Sequence, residues 1–150
     1  MATRVEKLVL DAAQADIPAV SRPFAALGAS VGVSEAEVLK VLKACKKKGL
    51  VRRLGGSFET RKLGFSSTLA GARVKPSRLA AVAKEISKFP GVTHCYEREG
   101  EMNLWFTVGV RGTMAGVDKK IASFRRLPGV EKCYSFPVKK MFKIKTMFPI

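Results

Sequence analysis

The fold of this 150-residue chain is decided by the stretch Val92-Thr-His-Cys-Tyr-Glu-Arg-Glu-Gly-Glu-Met-Asn-Leu-Trp-Phe-Thr107, which holds its only histidine and its only tryptophan. Leu104, Phe106 and Val108 recur at every second position, the pattern of a strand with one buried face. The segment from Val92 to Arg98 is a second candidate strand, and Gly100-Glu101 between the two fits a two-residue type II′ turn. The stretch therefore predicts a β-hairpin.

The position of this turn determines which residues of the hairpin face each other. Three facing pairs follow: Arg98 with Asn103, Tyr96 with Trp105, and His94 with Thr107. Since successive side chains of a strand point to opposite faces, all six are expected on one side of the sheet. That surface is the best candidate in the chain for a functional site.

An internal repeat extends the prediction to a whole domain. Phe89-Pro-Gly-Val-Thr-His-Cys-Tyr96 recurs as Leu127-Pro-Gly-Val-Glu-Lys-Cys-Tyr134, and in each copy a helix is expected to end at Pro-Gly and a strand to begin at Val. The remaining predicted elements are a strand from Ser67 to Val74, helices over Pro76 to Phe89 and Met114 to Phe124, a strand from Val130 to Val138 and a possible fifth strand from Met141 to Phe148. The order βαββαβ predicts a ferredoxin-like domain over residues 61–150.

The repeat also predicts how the sheet is oriented. Cys95 and Cys133 are small and apolar enough to lie beneath the helices. Their neighbours then point to the face without helices, where they join His94, Tyr96 and Arg98; these neighbours are Lys132, Tyr134 and Phe136. The orientation of the first strand stays open. Helix-free faces of such sheets form dimers or bind ligands.

Residues 1–60 predict a winged helix-turn-helix. A first helix runs from Val5 to Gln14 with Val5, Leu8, Val9 and Ala12 on one face, and a second runs from about Arg22 to Ser30. Ser34 and Glu37 form a capping box for a third helix, which Gly49 ends. Leu50 to Leu54, Gly55-Gly56 and Ser57 to Glu59 are interpreted as a two-stranded wing. The chain as a whole is predicted to be of the α+β class.

The composition restricts the classes of partner. The formal net charge is +16, and residues 66–150 carry 16 Lys and Arg against 6 Asp and Glu. An anionic partner is therefore expected: nucleic acid, acidic lipid or a polyanionic small molecule. No apolar run is long enough to span a membrane and no signal segment follows Met1, so we expect a soluble, cytoplasmic protein with no membrane partner. The three cysteines lack metal-binding spacing and are expected to be free thiols.

The two predicted domains together resemble the Lrp/AsnC family of transcription regulators across essentially the whole chain. The segments that fit its layout are Arg22-Pro-Phe24, Leu50-Val-Arg-Arg53 and the two Pro-Gly-Val repeats. More specific motifs resemble one branch of it, the siroheme decarboxylases. These motifs are Arg52-Arg53, Arg61-Lys-Leu-Gly-Phe65, His94-Cys-Tyr-Glu-Arg98, Asn103-Leu-Trp-Phe-Thr107 and the C-terminal Phe142-Lys-Ile-Lys145.

The resemblance implies an enzyme, a decarboxylase of the carbon–carbon lyase class. Its substrate would be siroheme, which loses the carboxyl groups of two acetate side chains to give didecarboxysiroheme on an alternative route to heme. The resemblance also implies a similar second subunit, in a heterodimer or larger heteromer, and no cofactor beyond the iron of the substrate. Two positions depart from the family. Cys95 stands where members often have Asn, and Glu59-Thr-Arg61 lacks a histidine that members often carry and that a partner subunit could supply.

Candidate site residues follow from this resemblance and from their chemistry. His94 and Arg98 are the candidate catalytic residues, with His94 either an axial ligand to siroheme iron or a proton donor to the carbon left by CO₂. The candidate substrate-binding residues are Arg52, Arg53, Tyr96, Asn103, Trp105 and Lys132. The cations would hold carboxylates, the rings would stack on the macrocycle, and Asn103 would orient a hydrogen bond. Solvated surface charge and packing in a dimer interface are the alternatives.

The alternative function is an Lrp/AsnC-type regulator that binds DNA and uses the same sheet face for a small effector. The recognition helix of a helix-turn-helix meets DNA with its N-terminal residues, and Ser34-Glu-Ala-Glu37 places two acids there. Lys46, Lys47 and Lys48 lie at the other end of this helix, where they suit the helix dipole without DNA. DNA is therefore not expected as a partner.

Overall fold

A computed structural model of the chain describes residues 3–56 and 58–143. The chain divides into two compact units, of which the second begins at Phe58 and runs to Phe142. Each unit has a hydrophobic core of its own. No helix within the described ranges is long and apolar enough to cross a membrane.

Among the described residues of the first unit there are three helices: α1 (Arg4–Ala15), α2 (Pro23–Val31) and α3 (Glu35–Lys47). The predicted capping box of Ser34 and Glu37 starts α3, and Thr3 and Glu6 form a second one at α1. These boxes satisfy amide groups that a helix start would otherwise leave unpaired. The helix-turn-helix is confirmed.

The core of the first unit differs from the prediction on one side of α1. It consists of Val9, Leu10, Leu27, Val38, Leu42 and Cys45. Val5 and Leu8 were expected to be buried but are 37% and 42% exposed, whereas Leu10 is buried. The buried stripe of α1 therefore lies toward Val9 and Leu10.

Four antiparallel strands and two helices form the second unit. The strands are β1 (Phe65–Val74), β2 (Cys95–Glu97), β3 (Leu104–Arg111) and β4 (Val130–Phe136), and the helices are α4 (Leu79–Ser87) and α5 (Met114–Arg125). Short 3₁₀ turns at Thr60–Leu63 and Pro76–Arg78 precede β1 and α4. The strand order across the sheet is β2-β3-β1-β4. The predicted ferredoxin-like βαββαβ order and the α+β class are confirmed.

Two predicted β segments are not found as strands. Residues 51–56, 58 and 59 are in no strand, so the wing prediction is wrong for them; Ser57 lies outside the described residues. The amides of Leu50 and Val51 both bond to the carbonyl of Cys45, at 2.9 and 3.2 Å, and Val51 packs against the helical core. The segment is thus tied back to α3 instead of pairing with a second strand. For the possible fifth strand, residues 141–143 are in no strand and residues 144–148 lie outside the described ranges.

The hairpin has the predicted register. Tyr96 pairs with Trp105, flanked by the pairs Cys95 with Phe106 and Glu97 with Leu104. Gly100 in the connecting turn has a φ of +124°, which side chains rarely allow. The turn chemistry therefore sets the register, and the register sets which side chains share a face.

One face of the sheet carries the core of the second unit. Leu104, Phe106 and Val108 are buried on this face, packed with the helix residues Val82, Ile86, Val117, Ile121 and Phe124. The rings of Phe106 and Phe124 meet edge to face, with 5.6 Å between their centroids. Cys133 is fully buried and Cys95 partly so, as predicted. Neither of the two described helices of the second unit packs against the other face of the sheet, which is called the open face below.

The glycines of the two Pro-Gly repeats are needed for different reasons. The carbonyl of Gly91 accepts a hydrogen bond from the amide of Gly109 at 2.8 Å, and a Cβ on Gly91 would lie 1.9 Å from the oxygen of Gly109. Gly129 has a φ of +97°, and a Cβ there would lie 2.5 Å from the Cβ of Arg78. The first repeat needs its glycine for close backbone approach, and the second needs it for its backbone conformation and to avoid the side chain of Arg78.

Gly91→Ala is expected to lower the free energy of unfolding of the second unit by about 3 kcal/mol, because the new methyl group overlaps a backbone oxygen that cannot move aside. Gly109→Ala is the matched control, since its Cβ would make only ordinary contacts at 3.6 Å and beyond, and less than about 1 kcal/mol is expected. Urea unfolding followed by the fluorescence of Trp105 measures both. Equal losses in the two variants would contradict the close-approach explanation.

Candidate functional site

The open face of the sheet is organised in three rows that cross all four strands. The strand pairings define a charged row of Arg98, Asn103, Arg73 and Lys132, an aromatic row of Tyr96, Trp105, Gly71 and Tyr134, and a mixed row of His94, Thr107, Leu69 and Phe136. All the site residues predicted from the second domain belong to these rows. The predicted orientation of the sheet is confirmed.

A cleft of about 400 Å³ lies on the β2–β3 half of the open face. Its lining residues are Leu69, His94, Tyr96, Arg98, Trp105, Phe106 and Thr107. The lining is mostly apolar with a few polar groups, and the volume falls in the range of small-molecule sites. The cleft is open to solvent on the side away from the sheet, so this unit provides one wall of a site.

His94 is exposed and is held at one ring nitrogen. The Oγ1 of Thr93 lies 3.0 Å from Nδ1 of His94 and 2.8 Å from Oγ1 of Thr107. Thr107 Oγ1 also accepts a hydrogen bond from the His94 amide at 3.2 Å. Because Nδ1 is engaged, Nε2 is the nitrogen that remains for a metal or a proton transfer.

The β2 edge of the cleft continues from His94 toward the charged row. The ring of His94 lies 6.1 Å from that of Tyr96, centroid to centroid. The guanidinium of Arg98 lies 6.0 Å from the Tyr96 centroid. Histidine, tyrosine and arginine thus follow one another along the edge strand, as the alternation of side chains predicted.

Trp105 forms the floor of the cleft. Its ring and that of Phe136 meet over Gly71, 5.4 Å apart and inclined by 32°. A Cβ on Gly71 would lie 3.2 to 3.3 Å from both rings, so the missing side chain makes room for them. The indole N–H donates to the carbonyl of Met102 at 2.7 Å, which fixes the ring. The floor is a preformed apolar surface suited to a flat ligand.

Ion pairs neutralise the far end of the charged row. One carboxylate oxygen of Glu101 lies 3.0 Å from Nζ of Lys132 and 3.7 Å from a guanidinium nitrogen of Arg73. Arg73 also pairs with Glu131 at 2.8 Å. The hydrogen bond from Lys132, followed by the charges of Lys132 and Arg73, holds the pKa of Glu101 below its usual value. Within the described part of the chain no ion pair involves Arg98, which leaves it the cation most available to a ligand.

Asn103 has a different partner from the one its position suggested. Its Oδ1 accepts a hydrogen bond from the amide of Val74, and its Nδ2 donates to the carbonyl of Val74, both at 2.8 Å. These bonds extend the pairing of β1 with β3 by one step past Ala72 and Leu104. The side-chain amide is occupied by backbone, so a role in orienting a substrate stays a prediction.

Arg52 and Arg53 belong to the first unit, and the cleft belongs to the second. Both arginines are exposed, in the segment after α3 that forms no strand. Their role as carboxylate ligands stays a prediction.

Two residues of the site escaped the sequence reasoning. Thr93 precedes the first paired residue of β2, so the alternation expected along the predicted strand from Val92 to Arg98 does not govern its side chain. Arg73 lies in β1, whose orientation the sequence left open. The pairing of Leu69 with Thr107 is the signal that would have oriented β1 and placed Arg73 on the open face.

Comparison with known proteins identifies the class of this molecule. A family model described as AsnC-like ligand binding domain matches residues 62–143, and one described as siroheme decarboxylase NirDL-like HTH domain matches residues 6–52. The structure of E. coli AsnC shares the fold, with a TM-score of 0.79 at 14% identity over 98% of both chains. The chain thus has the two-domain architecture of the AsnC class.

Two more similar proteins specify the branch within this class. The siroheme decarboxylase alpha subunit of Desulfovibrio desulfuricans is 35% identical over 144 residues, which cover 96% of this chain and 82% of that protein. A crystal structure of the siroheme decarboxylase NirDL in co-complex with an iron-uroporphyrin III analogue matches 97% of this chain with a TM-score of 0.77 and 29% identity. This chain covers 48% of that one, about half of its length. The chain belongs to the siroheme decarboxylase family.

Lys132→Met is expected to raise the pKa of Glu101 toward its ordinary value, because it removes the largest cause of the lowering. Arg73→Met is expected to raise it less, since the guanidinium is farther from the carboxylate. Lys84→Met, on α4, is expected to leave it unchanged. A pH titration of the Glu101 carboxyl signal by ¹³C NMR measures the three variants, and an equal shift in the first two would contradict the assignment.

Proposed function

We propose that this chain is a subunit of a siroheme decarboxylase, a carbon–carbon lyase that converts siroheme to didecarboxysiroheme. The observation that carries the proposal is the cleft of the open face, which joins the single histidine, an aromatic floor and an arginine that has no ion pair among the described residues. The family to which the chain belongs supports it. So does the co-complex of its relative with an iron-uroporphyrin analogue, because siroheme is also an iron tetrapyrrole bordered by carboxylates.

The proposed binding mode follows from the three rows. The macrocycle stacks on the aromatic row, where Trp105 and Tyr96 supply flat apolar surface. Arg98 binds a peripheral carboxylate through paired hydrogen bonds, which its planar guanidinium suits. At the other end of the charged row, a substrate carboxylate takes the place of Glu101 between Lys132 and Arg73. Both ends of the charged row then bind carboxylates of the same substrate.

The proposed reaction is redox-neutral. The bond between an acetate methylene and its carboxylate breaks, CO₂ leaves, and the bonding electron pair stays on the methylene carbon until a proton joins it. The apolar lining of the cleft disfavours the charge of the carboxylate and so favours its loss. His94 either donates the proton or ligates the iron of the substrate, in each case through Nε2. No cofactor beyond that iron is proposed.

A similar second subunit completes the proposed site. The cleft has one wall, and the aromatic side chains around it are half exposed, with Tyr96 at 54%, Tyr134 at 46% and Phe136 at 42%. Exposed rings in such a group mark a surface that another molecule covers. The name of the Desulfovibrio relative, an alpha subunit, supports a heteromeric enzyme.

The regulator alternative has less support at the start of α3. Glu35 forms an ion pair with Arg22, and Glu37 is held in the capping box, where the backbone amide of Ser34 lowers its pKa. Both carboxylates are held where a recognition helix would meet phosphates. We therefore propose no DNA partner, and a gel shift is expected to show no salt-sensitive, sequence-selective binding.

The decarboxylase proposal predicts that the chain, mixed anaerobically with siroheme and its partner subunit, removes two molecules of CO₂ from siroheme, one after the other. His94→Ala is expected to slow the reaction at least about a hundredfold, the lower range for loss of a general acid. Arg98→Met is expected to raise KM, and Arg126→Met, at the end of α5, serves as its charge-matched control with wild-type rates. Mass spectrometry of the tetrapyrrole follows the loss, and an unchanged mass with the wild-type pair would overturn the proposal.

A visible spectrum separates the two roles of His94. If Nε2 ligates the iron, the Soret band of siroheme bound to the His94→Ala variant is displaced from that of the wild type. If His94 donates the proton, the band keeps its position while turnover is lost.

A further inference from the structure

We infer that Thr93 and Thr107 are positioning residues for His94: they hold the imidazole by Nδ1 so that Nε2 faces the cleft in every protonation state of the ring. The inference rests on the proposed function for its catalytic meaning, but its geometric part stands on this chain alone. Neither residue is one of the candidate site residues derived from the sequence.

The contacts form a short chain of hydrogen bonds. It runs from the His94 amide to Oγ1 of Thr107 at 3.2 Å, on to Oγ1 of Thr93 at 2.8 Å, and back to Nδ1 of His94 at 3.0 Å. The chain therefore begins and ends on the same residue. It closes a loop that ties the histidine ring to the backbone that carries it.

A hydroxyl suits this position because it both donates and accepts. When Nδ1 is unprotonated, the Thr93 hydroxyl donates to it, and Thr107 in turn donates to Thr93. When Nδ1 carries a proton, as in the imidazolium, Nδ1–H donates a hydrogen bond to the Thr93 hydroxyl, which in turn donates its own to Thr107. The oxygen atoms stay in place in both cases. Nε2 therefore gains and loses a proton without any movement of the ring.

The hydroxyl of Thr107 also bonds backbone, whereas that of Thr93 bonds only side chains among the described residues. This difference makes the inference testable. Thr107 also bonds a backbone amide and, through its own backbone N–H, the carbonyl of His94 at 3.0 Å. Both hydrogen bonds found for the Thr93 hydroxyl in the described structure go to side chains. Thr93 is exposed and precedes β2. Replacing its hydroxyl therefore removes the hold on the ring with little cost to the sheet.

The first test uses NMR on the full-length chain without any ligand. His94 is the only histidine, so its ring signals need no assignment by mutation, and its contact with the Tyr96 ring gives cross-relaxation between the two. Thr93→Val is expected to weaken that cross-relaxation several-fold at both acidic and neutral pH, because the ring is free to rotate. Thr93→Ser is expected to keep it. Thr113→Val, a threonine that makes no capping hydrogen bond, is the matched control and is expected to keep it too.

The second test uses the decarboxylase assay with the partner subunit and siroheme. Thr93→Val is expected to lower kcat about tenfold, a fraction of the effect of losing the acid itself, and to leave KM within about twofold because the arginines are untouched. Thr93→Ser is expected to restore kcat. Thr107→Val is expected to act in the same direction, with Thr107→Ser as its rescue.

The two tests fail independently. If the wild-type pair does not decarboxylate siroheme, the proposed function falls and the NMR result still decides whether the threonines hold the ring. If Thr93→Val keeps both the wild-type cross-relaxation and the wild-type kcat, the inference is overturned. Loss of both in Thr93→Ser as well as in Thr93→Val would also overturn it, because a hydroxyl would then not be what matters.

Discussion

The structure of the second unit depends on one constraint: its sheet is covered by helices on one face only. The side chains of Leu104, Phe106 and Val108 in β3 point into the core. Because successive side chains of a strand point to opposite faces, the residues between them face outward. Trp105 and Thr107 therefore face the cleft because the residues next to them in the strand are buried in the core. The same alternation along β2 and the residues on either side of it presents His94, Tyr96 and Arg98 on the open face. A shift of the hairpin by one residue would bury the site and expose the core at once.

The candidate catalytic residues His94 and Arg98 flank the shortest described strand of the second unit. β2 spans only Cys95–Glu97, lies at the edge of the sheet and pairs with one neighbour. Its position is secured by contacts beyond the ladder: Arg98 bonds to Asn103 at 3.1 Å, Gly91 to Gly109 at 2.8 Å, and the threonine pair to His94. An edge strand leaves its outer side accessible to a second chain, whereas a central strand would be enclosed. The arrangement suits a site that one subunit only half builds.

Sequence reasoning predicted which side chains of the candidate site share one face of the sheet, because local rules govern that arrangement. The Gly100 turn and the alternation of β3 determined the hairpin register, and the Pro-Gly repeat determined which face the edge strands present. Sequence reasoning failed where contacts with other segments of the chain determine the structure. The segment after α3 has strand-like composition, but its first amides bond back to Cys45. Asn103 shares a face with Arg98 as predicted, but the hydrogen bonds of its side-chain amide to the backbone of Val74 were not foreseen. The buried face of α1 was predicted wrongly because the packing of three helices around one core determines how each helix is rotated about its axis. In the candidate site, Arg73 and Thr93 are positioned by cross-strand and side-chain contacts that no single segment encodes.

The internal repeat gives the open face an approximate twofold axis through its centre. Rotation about that axis exchanges β2 with β4 and β1 with β3, so that Tyr96 corresponds to Tyr134 and His94 to Lys132. The residues nearest the axis, Trp105 and Gly71, correspond to each other and face across paired strands. Two large rings would collide there, since even a Cβ on Gly71 lies within 3.3 Å of the indole. A duplicated architecture therefore had to become unequal at its centre. Together with the difference between His94 and Lys132, that inequality makes the two halves of the open face distinct: one side of the axis presents a histidine, and the other presents a lysine paired with Glu101.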